Sequence, residues 1–152
     1  KKVVILGGSG AAISLALFII GKHEKDGDEN ASIAMIDTAP RFGLDVNPSY
    51  IWRYRLRLKR AKVRELTFWK IKEITDAGVH ADWTLFDKKT KTKEKFTDQV
   101  VEADTIILAN LVPNKELAYG SYLEDISKIG DSLWVRRGID AIQDGVRLGM
   151  RF

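Results

Sequence analysis

The residues best suited to chemistry form a glycine-rich run near the start of the chain. The run has the pattern G-x-S-x-x-A from Gly7 to Ala12, and it begins with Gly7, Gly8, Ser9 and Gly10. A dinucleotide carries a pyrophosphate, and a helix N-terminus binds that group because its backbone N–H groups are unpaired and its dipole end is positive. Only glycine or a very small residue lets the backbone turn sharply and approach the phosphates. The run therefore predicts a pyrophosphate site.

The run departs from the usual dinucleotide pattern at one position. The usual spacing has glycine where Ser9 stands, and a serine hydroxyl can donate to a phosphate but narrows the approach to it. A register that starts at Gly8 would place Ile13 where the helix must pack closely, so the register from Gly7 to Ala12 is favoured. The alternative interpretation is that the glycines only form a tight turn between a strand and a helix.

An acidic residue follows the second predicted strand. The Asp37 carboxylate could accept hydrogen bonds from the adenosine ribose hydroxyls and would repel a 2′-phosphate, which favours NAD over NADP. Asp37 lies further from Gly7 than the usual spacing of about 20 residues. We attribute the difference to the polar segment Lys22–Asn30. The alternative is a solvent-exposed carboxylate at the end of a strand.

The elements that would position these residues form a β-α-β unit. The apolar runs Val3–Leu6 and Ile33–Ile36 are typical of strands that are buried on both faces. Between them, Ala11–Ile20 predicts a helix and the charged segment Lys22–Asn30 predicts a loop. Two strands joined in this way are parallel, with a right-handed crossover.

The rest of the sequence predicts a second helix, a β-meander, another central parallel strand and a terminal helix. Asn47-Pro48 is a good helix start, and the helix would run to about Arg60 with Ile51, Tyr54 and Leu58 on its buried side. The other predicted segments are Val63–Ile74, Val79–Phe86 and Glu94–Val101 for the antiparallel meander, Lys88–Lys93 for a charged turn, Thr105–Leu108 for the strand, Asn114–Tyr119 for a helical turn, Ile129–Asp131 for the end of a short extended piece and Gly138–Met150 for the terminal helix. The predicted fold class is α/β, a Rossmann-like parallel sheet with an antiparallel three-stranded meander on one face.

Composition and charge exclude several kinds of site. The 152 residues contain no cysteine, so the chain has no disulfide, thiolate metal site or cysteine nucleophile, and a reducing, cytoplasmic location is expected. A metal site built on the two histidines would need further ligands, and we expect none. The net charge of +4 permits anionic partners without requiring nucleic acid. The longest apolar run is too short to span a bilayer, so we expect no membrane partner.

The order of several short segments resembles one family of flavoenzymes. The series is KVVILGG, IDTAPRFGLDVNP, KIKEITDAG, VEADTIILANLVPNKELA and IGDSLWVRRGIDAIQDGVRLG, and it covers nearly the whole chain. It resembles the C-terminal region of enzymes of the 2,4-dienoyl-CoA reductase and trimethylamine dehydrogenase type. In that family an old-yellow-enzyme-like barrel precedes a region similar to the pyridine nucleotide-disulfide reductases. The resemblance implies that the chain is a fragment of a larger flavoenzyme.

The resemblance also implies a division of the chain. Residues 1–125 resemble an NAD(P)H-binding domain, and residues 126–152 resemble a segment that returns to an FAD- or ADP-binding domain. In the family the aspartate of the I-G-D motif approaches the ribityl chain of FAD, which implies Asp131, with Gly130 giving clearance. The alternative is an ordinary turn before a helix. The first FAD-binding unit of the family has no counterpart here, so the chain alone should neither bind FAD well nor turn over a substrate.

Departures from the family pattern leave more than one function open. The family often has a glycine beside the nucleotide where Ala109 and Asn110 stand, and together with Ser9 this indicates an altered site. The leading hypothesis is the NAD(H)-binding portion of a flavin-dependent oxidoreductase, which positions nicotinamide for hydride transfer to FAD. The second is a degenerate structural or ADP-binding domain without a nicotinamide role. A third hypothesis is a Rossmann-like methyltransferase, but the meander and the I-G-D segment disfavour it. No catalytic acid, base or nucleophile is visible.

Two further features each have two interpretations. Arg53, Arg57 and Arg60 align on one face of the second predicted helix and could bind a phosphate, but a solvent-exposed face is the simpler interpretation. Aromatic residues beside lysines could stack on single-stranded nucleic acid, whereas cross-strand packing in the meander explains them more simply. Those aromatic residues are Phe68, Trp69, Trp83 and Phe86.

Overall fold

The chain divides into two compact units, Lys1–Asn110 and Leu111–Phe152, which are described separately. The computed structural model describes residues 1–27, 32–86, 92–110, 127–134 and 136–151. The predicted domain boundary at residue 125 and the predicted helical turn Asn114–Tyr119 lie outside these residues, as does most of the charged turn Lys88–Lys93. These three stay predictions.

The first unit contains a parallel sheet and an antiparallel one. Its elements are β1 (Lys2–Leu6), α1 (Gly10–Asp26), β2 (Ser32–Ile36), α2 (Pro48–Arg60), β3 (Arg64–Leu66), β4 (Trp69–Thr75), β5 (Gly78–Phe86), β6 (Lys93–Val101) and β7 (Thr105–Leu108). The parallel sheet has the strand order β3-β2-β1-β7, and β4, β5 and β6 form the antiparallel meander. The predicted fold class, α/β with a Rossmann-like parallel sheet and a three-stranded meander, is confirmed.

The central strand β1 is apolar from Val3 to Leu6 because both faces of the parallel sheet are covered. On one face Val3 packs in a core with Ala16 of α1. On the other face Val4 packs in a second core with Val79 of β5 and Val101 of β6. Alternate residues of a strand point to opposite faces, so one short run of valine, isoleucine and leucine serves both cores.

Helix α1 is longer than the sequence pattern predicts. The predicted loop Lys22–Asn30 is wrong over its first half, because the helix continues to Asp26. Residues in this part are mostly good helix formers, and Glu24 pairs with Arg57 of α2 at 3.1 Å. The helix ends where Gly27 adopts the left-handed conformation, with φ of +68°. The extra spacing before Asp37 is therefore in part helix.

The predicted extended segment Val63–Ile74 is two strands in different sheets. Its first part, β3, pairs with β2 in the parallel sheet, and its second part, β4, begins the meander. Phe68 lies between them with a positive φ of 61°, which marks the change of direction. The pattern of β-branched and aromatic residues is the same in both parts, so it could not reveal the break.

The meander is held by aromatic rings. The centroids of Trp69 and Trp83 are 6.1 Å apart, and those of Trp83 and Phe96 are 4.9 Å apart, in stacked arrangements. Cross-strand aromatic pairs of this kind stabilise antiparallel sheets. For Trp69 and Trp83 the packing interpretation is therefore confirmed.

The described part of the second unit contains a short turn and a helix. A 3-10 turn covers Gly130–Ser132, and α3 covers Gly138–Gly149, close to the predicted terminal helix. Ile129 is extended as predicted, but Gly130-Asp131 belongs to the turn, because Gly130 adopts a positive φ of 59°. No residue of α3 is buried within the described part of the chain.

Candidate functional site

The predicted cofactor-binding residues of the first unit meet at one edge of the parallel sheet. The chain places β2 and β3 on one side of β1, and it later places β7 on the other side. Ligands of open α/β sheets bind beyond the carboxyl ends of the strands where the strand order reverses in this way. The glycine run follows β1, Asp37 follows β2, and Ala109-Asn110 follows β7, so all of them lie at this edge.

Close packing requires the first two glycines. Gly7 has a φ of +132°, and a Cβ atom there would lie 2.9 Å from the carbonyl oxygen of Ala109 and 3.3 Å from the backbone nitrogen of Asn110. A Cβ atom on Gly8 would lie 2.5 Å from the Phe42 ring and 2.9 Å from Oδ2 of Asp37. The structure thus brings the three predicted groups into direct contact, and any larger residue would push them apart.

Ser9 begins α1 as its N-cap. Its backbone is extended, and its Oγ accepts a hydrogen bond from the N–H group of Ala12 at 3.4 Å. The same hydroxyl donates to the carbonyl oxygen of Ala109 at 3.5 Å. Serine is a favoured N-cap residue because it satisfies one of the helix's unpaired N–H groups. Its hydroxyl is therefore engaged within the protein, in addition to any role toward a phosphate.

Asp45, which no sequence pattern indicated, lies at the same helix terminus. The N–H group of Gly10 donates to both Oδ1 and Oδ2 of Asp45, each at 2.9 Å. Phe42, which is almost fully buried, and a 2.7 Å hydrogen bond from Gly43 N–H to the Gly8 carbonyl oxygen hold the segment before Asp45 in place. A carboxylate thus lies where a helix N-terminus would bind a phosphate. Because Gly10 and Asp45 are 35 residues apart, no local sequence pattern indicates their contact.

One of the two oxygens of the Asp37 carboxylate accepts hydrogen bonds within the protein. Its Oδ1 accepts hydrogen bonds from the N–H group of Ala39 at 2.8 Å and from the hydroxyl of Thr38 at 3.4 Å. Its Oδ2 lies beside Gly8 and accepts no hydrogen bond from the residues that the structure describes. One oxygen of the half-buried carboxylate therefore remains as an acceptor at the ligand edge of the sheet.

Gly130 and Asp131 lie in the second unit, in a turn that packs on α3. The N–H group of buried Gly130 donates to Asp144 of α3 at 3.2 Å, and a Cβ atom on Gly130 would lie 3.1 Å from that of Ala141. Asp131 is exposed and accepts a hydrogen bond from the N–H group of Arg136 at 3.5 Å. Local packing thus accounts for the glycine, and the Asp131 side chain faces solvent in the described part of the chain.

Two other kinds of site were searched for over the described ranges. No group of three or more histidine, cysteine or acidic residues there is arranged to hold a metal ion. No helix in that part of the chain is both long enough and apolar enough to cross a bilayer.

Solved structures share this fold, although no family model and no curated protein matches the chain. A 2-naphthoyl-CoA reductase in complex with 2-naphthoyl-CoA is similar over 99% of this chain and 21% of its own, with a TM-score of 0.66 and 23% identity. Histamine dehydrogenase from Rhizobium sp. 4-9 is similar over 97% of this chain and 22% of its own, with a TM-score of 0.64 and 12% identity.

A third structure carries a nicotinamide cofactor. An engineered water-forming NADPH oxidase bound to NADPH is similar over 77% of this chain and 22% of its own, with a TM-score of 0.52 and 15% identity. These likenesses confirm the fold that the family resemblance implied. The chain spans 21% to 22% of the length of the three proteins.

Proposed function

We propose that the first unit is the NAD(H)-binding portion of a flavin-dependent oxidoreductase, which positions nicotinamide for hydride transfer to FAD on a neighbouring domain. The observation that carries the proposal is the glycine turn of Gly7–Gly10, which joins β1 to α1 at the point where the strand order reverses. The names of the similar proteins, a reductase, a dehydrogenase and an NADPH oxidase, support an oxidoreductase role. Hydride transfer is the chemistry of the cofactors, and the chain supplies position.

The backbone of the turn fits a pyrophosphate. The N–H groups of Gly8 and Ser9 have no hydrogen-bond acceptor among the residues that the structure describes. Gly8 is buried, and buried N–H groups without an acceptor are rare in proteins. Phosphate oxygens at the head of α1 would satisfy these donors and face the positive end of the helix dipole. Asp37 would then accept from the adenosine ribose hydroxyls and disfavour a 2′-phosphate.

Asp45 supports a second candidate function. Its carboxylate accepts from Gly10 N–H, so a phosphate that uses this N–H group must displace it against like-charge repulsion. A structural domain that has lost its nicotinamide role would retain this internal anion, whereas in an ADP-binding domain the pyrophosphate of ADP would have to displace it as that of NADH does. The two candidates therefore differ in whether NADH can displace the Asp45 carboxylate.

Residues 126–152 are proposed to belong to an FAD- or ADP-binding domain, with Gly130 and Asp131 near the ribityl chain. The support is the apolar side of α3, which no described residue covers. The exposed side chains are Ile139, Ile142, Val146 and Met150, at 51% to 75% exposure. Such a stripe at helical spacing is typical of a helix that packs on another part of a protein.

Calorimetric titration of the whole chain with NADH, NADPH and ADP separates the candidates. We expect NADH to bind at micromolar concentration and about tenfold more tightly than NADPH, because Asp37 repels a 2′-phosphate. Asp37→Ala should weaken NADH binding about tenfold and remove the preference. Asp76→Ala, which removes an exposed carboxylate from the turn between β4 and β5, is the matched control and should change nothing. Binding of ADP alone, or of no nucleotide, would favour the second candidate.

A further inference from the structure

The groove between α1 and α2 is lined by a combination of side chains that is unusual for a surface facing only solvent. It encloses about 870 Å³ and contains apolar and basic side chains but no acidic one. The side chains that characterise it are Phe18 of α1 and Tyr50, Trp52, Arg53, Leu56 and Arg60 of α2. The glycine turn is not part of this lining, so the groove calls for its own explanation.

The aromatic side chains of the groove are unusually exposed. Phe18 is 70% exposed, Trp52 60% and Tyr50 55%. Leu58 is the only buried residue of α2 in the structure, and the predicted burial of Tyr54 is wrong because that side chain is 36% exposed. A helix that covers a sheet normally turns its apolar residues inward, and a contiguous apolar patch left outside marks an interaction site.

The charge of the groove is all of one sign. Helix α2 carries five basic residues and no acidic residue. Arg57 pairs with Glu24, but within the described ranges Arg53 and Arg60 have no acidic partner. Arg55, which lies outside the groove, donates to the Phe42 carbonyl oxygen at 3.0 Å. Arg53 and Arg60 therefore present unneutralised guanidinium groups beside the aromatic rings.

We propose that this groove docks an acidic amphipathic helix of a separate protein partner. A helix that enters a groove between two helices places its apolar side on the groove floor and its polar side at the rim. Carboxylates at the rim would pair with Arg53 and Arg60, since arginine binds carboxylates through two parallel hydrogen bonds. Trp, Tyr and Arg are also the residues that most often dominate binding at protein interfaces.

Charge and shape disfavour the other occupants. A second copy of the chain would place two acid-free basic helices against each other, which like-charge repulsion opposes. A membrane surface takes up a protruding apolar face, whereas these apolar side chains line a concave groove. A permanent contact would be more apolar than a groove that contains three arginines. The proposal does not depend on nucleotide binding at the glycine turn.

Fluorescence anisotropy with the full chain tests the proposal. The probe is a fluorescein-labelled amphipathic peptide of about 18 residues, or five helical turns, with leucines on one face and glutamates on the other. We expect micromolar binding that weakens as salt is raised. The double substitution R53E/R60E should weaken it at least about tenfold. Lys59→Glu changes charge on the same helix outside the groove lining and should weaken it less than about threefold.

A second variant and a control peptide keep the test decisive if R53E/R60E does not fold. Trp52→Ala removes an exposed ring, so the fold should persist by circular dichroism while peptide binding falls about tenfold. The same peptide with lysines in place of glutamates should not bind. Equal binding of both peptides, no loss with Trp52→Ala, binding of the chain to phosphatidylserine vesicles in preference to the acidic peptide, or dimerisation by sedimentation through this face would each overturn the proposal.

Discussion

Two carboxylates of the first unit differ in burial and in hydrogen-bond partners. One, Asp45, lies at the glycine turn, and the other, Asp82, lies in the meander. Asp45 is exposed and accepts from one backbone N–H group, that of Gly10 at the head of α1. Asp82 is buried in β5, where the ammonium groups of Lys72 and Lys95 lie 2.9 and 3.3 Å from its two oxygens. A backbone N–H group can bind another anion in exchange, whereas the buried Asp82 carboxylate is held by two lysine ammonium groups and by the N–H group of Asp98.

This contrast indicates which region can bind a ligand. The glycine turn is shaped by backbone contacts and ends in N–H donors that a phosphate can use. The meander is shaped by stacked rings and by the buried Asp82 carboxylate, which two partly exposed lysines contact. It presents no comparable donor set in the described residues. Each of the following changes tests one side of this contrast, from the largest expected effect to the smallest.

Gly7→Val should have the largest effect, because it breaks the turn itself. The positive φ of Gly7 and the 2.9 Å contact of a Cβ atom with the Ala109 carbonyl oxygen leave no room for a side chain. We expect a loss of about 3 kcal/mol in the free energy of unfolding and loss of NADH binding. Urea denaturation measures the first and calorimetry the second.

Gly21→Ala is the matched control for that change. Gly21 lies inside α1, and a Cβ atom there would lie 3.8 Å from the Arg57 side chain, with no closer contact among the described residues. Alanine is the better helix former by about 1 kcal/mol, so stability should rise slightly and NADH binding should not change. Equal losses for both variants would show that the Gly7 contact has no special role.

Asp82→Asn tests the meander and should have the next largest effect. The hydrogen bond from Lys72, the N–H group of Asp98 and the nearby Lys95 lower the pKa of Asp82 from 3.8 to about 2. The carboxylate is therefore more stable ionised in the folded chain, and its contribution is full above pH 3.8 and is lost as the pH falls through about 2.

Thermal unfolding at two pH values measures this contribution. Asp82→Asn should lower the melting temperature by several degrees at pH 7, and the gap should close toward pH 2. Nucleotide binding at pH 7 should not change in the folded protein. A gap that is constant over this pH range would show that the lysine contacts of Asp82 carry no ionic stabilisation.

Asp45→Asn tests whether a phosphate can replace the Asp45 carboxylate at the head of α1. It should affect stability less than Asp82→Asn does. Asparagine keeps a side-chain oxygen that can accept from the Gly10 N–H group, so the loss should stay below about 1 kcal/mol. Removal of the negative charge should strengthen NADH binding about tenfold, because the pyrophosphate no longer displaces an anion. Weaker binding by calorimetry would instead make Asp45 a support of the nucleotide site.

Ser9→Gly should have the smallest effect. It restores the usual glycine pattern and removes the weak cap to Ala12 and the 3.5 Å contact with Ala109. A glycine cap costs only a few tenths of a kcal/mol relative to serine, and NADH affinity should rise about threefold by calorimetry. An unchanged affinity would mean that Ser9 does not narrow the approach to the phosphate.

Local patterns predicted most of the fold, and long-range contacts account for what they missed. The apolar runs of β1 and β2 and the Asn47-Pro48 helix start are local signals, and the structure confirms them. It also confirms a parallel strand at β7, but the predicted central position is wrong, because β7 ends the described sheet and Leu108 is 74% exposed. The break at Phe68 and the Asp45 contact with Gly10 depend on residues distant in sequence. The length of α1 was missed for another reason, because its charged last turn is as polar as a loop.

The most direct test follows the backbone amides of the whole chain by ¹⁵N NMR during titration with NADH. If the glycine turn binds the pyrophosphate, the largest shifts should fall on Gly8, Ser9 and Gly10, with smaller ones at Asn110 across the crevice. The amides of β6 (Lys93–Val101) should stay unchanged, since the meander has no part in the site. Unchanged turn amides at saturating NADH, or shifts centred on β6, would contradict the assignment of the glycine turn as the dinucleotide site.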